Sequence, residues 1–236
     1  MSAISRRIAG RIHDLGGFEI RRLLPSVHCR HVGPFVFLDL IGPARFAPAT
    51  GVDVRPHPHI GLATVTYLFD GALQHRDSVG SDQVIRPGDV NWMTAGRGIA
   101  HSERTPDAER VRGHRLHGLQ FWVGLPLDSE TGAPSFQHVA ASNLPQWRSG
   151  GVRARLVAGT AFGRASPVVV ASGLHCVDVQ LEPDSGIELE SGADERAALL
   201  VEGEAHLDGE MLVASELALL RHGPRPTLES PGGARV

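Results

Sequence analysis

The sequence predicts an all-β protein built from two tandem β-sandwich barrels with few, short helices. Three observations carry that expectation. Glycine and proline are plentiful, at 28 and 16 of 236 residues, and the apolar segments between them are short. Turns at that density join short strands. No segment shows a long, capped helical period. A strand–turn–strand pattern also occurs twice. Thr64-Val-Thr-Tyr-Leu-Phe-Asp-Gly71 is followed by a polar turn and Arg86-Pro-Gly-Asp-Val-Asn-Trp-Met93. Later, Ala197-Ala-Leu-Leu-Val-Glu-Gly203 is followed by His206-Leu-Asp-Gly209 and Glu216-Leu-Ala-Leu-Leu220. A duplicated sandwich explains such an echo.

Taken in order, the expected strands are Phe35–Leu40, Ala63–Phe69, Asn91–Thr94, Leu119–Leu125, Arg153–Val157, Cys176–Leu181, Ala197–Val201 and Leu217–Leu220. Each is a short run rich in β-branched, aromatic or aliphatic residues and bounded by turn formers. A short helix is expected near Pro134–Pro145 or at the chain start. Pro126-Leu-Asp-Ser-Glu-Thr-Gly-Ala-Pro134 reads as a linker, dividing the chain into domains 1–130 and 131–236.

Composition removes several function classes. Hydrophobic residues make up 42% of the chain, enough for a sizeable core, and the formal net charge is only −3. No run of basic residues suits phosphate neutralisation, so no direct nucleic-acid partner is expected. All 23 basic residues are arginine. Without lysine there is no phosphate loop of the G-x-x-x-x-G-K-[ST] kind and no Schiff base. The motifs of zincins, nucleophile-elbow hydrolases and dinucleotide binders are missing. Cys29 and Cys176 are far apart, which fits reduced thiols, and Cys176 reads as a small buried apolar residue. No stretch reaches the ~20 apolar residues of a membrane helix. Arg6, Arg7 and Arg11 precede no apolar signal core, so a cytoplasmic location without membrane association is expected.

The informative segment runs from Gly51 to Glu103. It holds two pairs at i, i+2 spacing, His57-Pro-His59 and His101-Ser-Glu103. In an extended chain, side chains two apart point to the same face. Each pair therefore offers two ligands from one strand, and two such strands facing one point supply three imidazoles and a carboxylate. Pro56 and Pro58 hold the first pair extended. Gly96 and Gly98 place a turn before the second. This donor set suits Fe, Mn, Zn, Ni or Cu better than Ca or Mg. Seven other histidines, His75, His114, His117, His138, His175, His206 and His222, have no partner at metal spacing and read as hydrogen-bonded residues. Trp92, Trp122 and Trp147 read as core.

At these residues the sequence resembles the pirin family, a branch of the cupin superfamily. The resemblance rests on Gly33-Pro-Phe-Val-Phe-Leu-Asp39, Arg55-Pro-His-Pro-His-Ile-Gly61, Thr64–Leu68, His75-Arg-Asp-Ser-Val-Gly80, Arg86–Glu103 and Gly118-Leu-Gln-Phe-Trp122. It is close over residues 10–125 and loose beyond. It implies a bicupin, two cupin-type barrels, with one metal in the N-terminal barrel only, held by His57, His59, His101 and Glu103. Many cupins carry an acidic ligand four residues after H-x-H; here Ala63 stands there, so Glu103 is the sole carboxylate. Family members usually continue past the region matching 224–236, which implies a shortened second barrel without metal ligands. The metal implied is Fe(II), with Mn, Zn, Ni and Cu as alternatives.

Two functions follow from the resemblance. One is a quercetin 2,3-dioxygenase-type oxidoreductase that opens a flavonol-like small molecule with O2, Glu103 accepting the substrate's hydroxyl proton. Phe35, Phe37, Val65 and Leu68 are its candidate apolar walls. The alternative is a non-catalytic, metal-bound or redox-sensing regulatory protein whose surface meets a protein partner.

Overall fold

The computed structural model describes residues 2–14, 18–223 and 225–236. Of the C-terminal stretch 224–236 singled out above, residue 224 lies outside the described residues. The chain forms strands β1 (Ile4–Ala9), β2 (Arg11–Asp14), β3 (Glu19–Leu24), β4 (Phe35–Phe46), β5 (Asp53–His59), β6 (Leu62–Asp70), β7 (Leu73–Asp77), β8 (Asp82–Ile85), β9 (Val90–Thr94) and β10 (Ile99–Arg104). One short helix, α1 (Asp107–Arg112), then leads into β11 (His114–Gly124) and β12 (Ser135–Val139). The remaining strands lie between Gln146 and Arg235. All eight expected strands are present; most are longer than expected, but Ala197–Leu199 stops two residues short and Leu125 lies outside its strand. The architecture is the all-β, cupin-type bicupin that the sequence predicts.

The helix expectations need correcting. The segment near Pro134–Pro145 is β12 followed by a single 3-10 turn, Ala141–Asn143. β12 pairs along β9, so the ladder satisfies backbone groups that a helix would otherwise satisfy internally. The chain start is β1, paired with Glu216–Leu220, with Ile4 and Ile8 buried. The helix that does form was signalled: Pro106 precedes it, Asp107 and Glu109 occupy the first turn, Arg110 and Arg112 the last, and Gly113 ends it.

The chain divides into two compact units, and these do not follow a single cut. Residues 1–11, 23–33 and 144–236 form one; residues 12–22 and 34–143 form the other. β1 belongs with the C-terminal residues because its partner is Glu216–Leu220. In that unit Val152–Ala161 pairs with His175–Leu181, and Ala234–Arg235 joins the same sheet. Its core gathers Leu200, Leu207, Leu228 and Ala205 with Val152 and Val179. Arg235 grips Asp178 with two hydrogen bonds, of 2.8 and 2.6 Å. The sequence echo has a structural counterpart: β6 pairs antiparallel with β9, and Ala197–Leu199 pairs antiparallel with Glu216–Leu220.

The unit of residues 12–22 and 34–143 is the one that matters for function. A four-stranded sheet, ordered β5-β10-β7-β8, faces a seven-stranded sheet, ordered β12-β9-β6-β11-β4-β3-β2. Leu68, Leu116, Ile41 and Ile20 of the larger sheet pack with Leu73, Ile85, Val52 and Val54. Burying these side chains on both inner faces fixes the register, since a slip of one residue would turn every one of them outward.

Candidate metal centre

The centre is built on the inner face of β5, β10 and β7. β5 is an edge strand, where prolines that cannot donate to a ladder are tolerated. Pro56 and Pro58 point outward and are exposed, while His57 is half-buried and His59 buried. Antiparallel pairing sets His101 opposite His57 on one side and opposite Asp77 on the other, and sets Glu103 opposite His75. Directly opposed residues share a face. One patch of sheet thus presents His57, His59, His101, Glu103, His75 and Asp77 together.

The three imidazoles of His57, His59 and His101 converge. Their ring centroids are 4.5–5.0 Å apart. One ligand atom from each lies within 4.8 Å of the other two. His57 Nδ1 donates to the Arg55 carbonyl at 2.8 Å, which leaves Nε2 with its lone pair free to coordinate. His101 Nε2 is buried and has no hydrogen-bond partner among the described residues. An orphaned buried polar atom costs about 1–3 kcal/mol, and a coordinated ion removes that cost. The residues therefore fit a metal. Burial pushes His59 down to about 4, helped by the neighbouring His57, and pushes His101 down to about 3, helped by His57, His75 and His59. Both rings stay neutral at ordinary pH, the form that ligates.

Glu103 is placed differently. Its Oε1 accepts a 2.9 Å hydrogen bond from the Thr66 hydroxyl of β6. Its ligand atoms fall with those of His75 and His101, not in the set of three histidines. Burial raises its carboxyl above the usual range, opposed by the Thr66 hydrogen bond and by His75 and His57. A carboxylate raised in this way is a stronger base than an exposed one.

His75 is hydrogen-bonded, as expected, but the expectation that it has no partner at metal spacing is corrected, since its ligand atoms fall with those of His101 and Glu103. His75 is 3% exposed, and its Nδ1 lies 3.3 Å from His101 Nδ1. Its Nε2 is 2.9 Å from Asp77 Oδ2. The signal was available: His75-Arg-Asp77 repeats the i, i+2 spacing of the two recognised pairs, with a carboxylate as second member. The other histidines largely follow the hydrogen-bonded reading. His138 bonds Asn91 at 2.8 Å, and His114 meets Thr105 at 3.2 Å while stacking on Phe46.

The facing sheet supplies the opposite wall. Trp122 stacks on Phe37 at 4.1 Å and meets the His59 ring edge-on at 5.1 Å, so this tryptophan borders the centre and is not simply core. Arg22 lies over the other part of that wall, 4.4 Å from the Phe37 ring, and is held by two 2.9 Å bonds to Asp39. Of the four expected walls, Phe37 is on the site face. Leu68 lies deeper, in the inter-sheet core. Val65 pairs with Phe121, which packs on Phe35, so those two are on the far face. A separate cavity of about 460 Å³, lined by Arg45, Phe46, Arg112, His114 and Arg115, shares no residue with the centre. Both cysteines are free thiols, and burial, with Asp178 beside it, pushes Cys176 up to about 12, which makes it inert.

Two facing sheets with imidazoles converging on one inner face define a cupin-type protein with a histidine-rich centre able to hold one metal ion. The Pirin family model matches residues 17–123. A pirin-like protein of Caulobacter vibrioides is 50% identical over 216 residues, covering 90% of this chain and 75% of that protein. A Pseudomonas aeruginosa protein, whose name provisionally assigns it as a quercetin 2,3-dioxygenase, is 41% identical over 234 residues, 98% of this chain and 72% of that one. The crystal structure of a quercetin 2,3-dioxygenase from Acinetobacter baumannii superimposes with a TM-score of 0.90 at 36% identity, covering 98% of this chain and 76% of that chain. The chain belongs to the pirin family.

Proposed function

We propose that this chain is a metal-dependent dioxygenase of the quercetin 2,3-dioxygenase type, with the metal held by His57, His59, His101 and Glu103. The observation that carries this reading is the buried, unpartnered Nε2 of His101 beside two further imidazoles and a half-buried carboxylate of raised basicity. The names of the Pseudomonas and Acinetobacter relatives support the substrate class, a flavonol-like molecule opened with O2. A redox-active divalent ion suits both the donor set and an oxygen-consuming reaction, with Fe(II) the first candidate. When bound, that ion would lower the pKa of a substrate hydroxyl and supply the redox chemistry towards dioxygen.

The chain's own residues do the rest. Glu103 takes the hydroxyl proton, and Thr66 holds the carboxylate in place for that transfer. The stacked Trp122 and Phe37 offer a flat apolar wall against which a planar aromatic substrate lies. Their removal of water strengthens the pull of the charged centre.

The test is metal analysis coupled to oxygen uptake with quercetin after anaerobic iron loading. The expected result is about one metal per chain and quercetin-dependent oxygen consumption, in line with the single-ion site. His101→Ala should lose both while remaining folded, because the inter-sheet core does not use that side chain. Glu103→Gln should retain part of the metal and lose cleavage; unchanged cleavage would reject the base role. One metal per chain without oxygen uptake would move the reading to a metal-bound regulatory protein.

A further inference from the structure

We infer that His75 and Asp77 form a positioning pair that sets the tautomer and ring orientation of His101, and that His75 is not itself a ligand. The inference rests on the metal reading of His101 given above. Its basis is the polarity of a three-membered chain.

The chain is anchored at Asp77. Asp77 Oδ1 accepts the backbone N–H groups of Val79 and Ser81, at 3.0 and 2.9 Å. The side chain of Asp77 is fully buried. Its other oxygen, Oδ2, faces His75 Nε2 at 2.9 Å. An ionised carboxylate only accepts, so His75 Nε2 carries the proton and donates. A neutral imidazole protonated at Nε2 has its lone pair at Nδ1. That atom lies 3.3 Å from His101 Nδ1. Two lone pairs cannot bond each other, so His101 Nδ1 carries the hydrogen and donates. The lone pair of His101 is then left at Nε2, the buried atom without a partner. With His75 neutral, every step follows from the one before, and the end of the chain is an imidazole ready to coordinate.

Geometry holds the middle member still. The His75 ring stacks on Phe136 at 4.3 Å with planes 13° apart. Pairing of β7 with β10 sets Asp77 directly opposite His101 and His75 opposite Glu103. His75, His101 and Glu103 could together be taken for a second metal set. The chain argues otherwise, because the one lone pair of His75 is already engaged by His101. Partners behind a ligating histidine usually change metal affinity by about 10–100-fold when removed.

Two measurements test this. The first is a long-range 1H–15N spectrum of the metal-free wild type, which reads tautomers directly. The expected pattern is a proton on Nε2 of His75 and on Nδ1 of His101; the reverse at either ring overturns the inference. The second is Co(II) affinity, by chelator competition, together with the visible spectrum of the Co(II) protein. His75→Leu should weaken binding by about 10–100-fold and alter the spectrum. His75→Gln, whose amide can both donate and accept, should restore part of each. Asp77→Asn, which removes the acceptor-only anchor, should resemble His75→Leu. Wild-type binding with no change in His75→Leu would overturn the positioning role and leave the metal site standing. Failure of the wild type to bind any metal would overturn both. Loss of the leucine variant to misfolding leaves the wild-type tautomer measurement to decide.

Discussion

His59 and His101 are neutral because they are buried, and that has opposite consequences for the metal-free and metal-bound forms. Their ordinary value is 6.5, whereas in the fold they titrate at about 4 and about 3. Between those limits the unfolded chain binds more protons than the folded one, so folding stability falls as pH drops. The contribution is complete above about pH 6.5 and is lost progressively towards pH 3. Urea midpoints of the metal-free protein should therefore fall between pH 7 and pH 4.5 beyond any change from surface carboxylates, and His101→Ala should flatten that dependence. For the metal, the depressed values work the other way. Protons do not compete effectively at these two rings until the pH nears 4, so His59 and His101 should not limit metal content between pH 7 and pH 5.5. An NMR titration of the metal-free protein that places either ring near pH 6 would show that the two rings are less shielded than their burial implies.

The elements that carry the centre were legible in the sequence to the extent that they alternate. The i, i+2 spacing of His57 and His59 and of His101 and Glu103 is a strand signature, and both pairs lie in strands, β5 and β10. The same spacing in β7 supports a hydrogen-bonded reading and no more, because the contact of His75 with His101 is set by cross-strand pairing that no local pattern announces. Which face Phe35 and Val65 occupy was not legible either: only pairing tells which face of β6 is inner, and a register shift between the Trp122 and Val123 pairs turns Phe35 away from the face of Phe37. The turn before β10 was read from Gly96 and Gly98, and the structure shows how differently the two serve. Both have positive φ, +50° and +137°. A Cβ on Gly96 would meet the Gly132 carbonyl oxygen at 2.3 Å, whereas one on Gly98 meets nothing within 4 Å. Gly96→Ala therefore combines backbone strain with a collision against main chain. It should cost more than the ~1–3 kcal/mol of strain alone, and more than Gly98→Ala, in denaturant titrations. Equal losses would mean that the 95–98 turn relaxes away from Gly132.

At the scale of the molecule, two units were legible from the echo between Thr64–Met93 and Ala197–Leu220, because a repeated strand–turn–strand pattern survives in sequence. Their composition was not, because the pairing of β1 with Glu216–Leu220 is a long-range event that no local pattern announces. The unit of residues 12–22 and 34–143 needs β12, which pairs with β9 from Ser135 to Val139 and carries Phe136 to the face of His75. Deleting Ser135–Val139 from the full chain should expose the edge of β9 and release the His75 ring. Aggregation or loss of Co(II) affinity would report this, while a monomeric, fully metal-binding deletion would show that β12 is dispensable.

Two of the three converging histidines ride on β5, which among the described residues pairs only with β10, and two of its seven residues are prolines that contribute no amide hydrogen. Such a strand is the part of its sheet with the least to hold it down, and local opening draws on segments of that kind. Once an ion links His57 and His59 to His101, peeling β5 away means breaking coordination bonds as well as a short ladder. The ion then works as a rivet on a loose edge. Metal escape and strand fraying become one event, with one rate, readable as the common timescale of chelator-driven release and deuterium uptake at Val54 and Arg55.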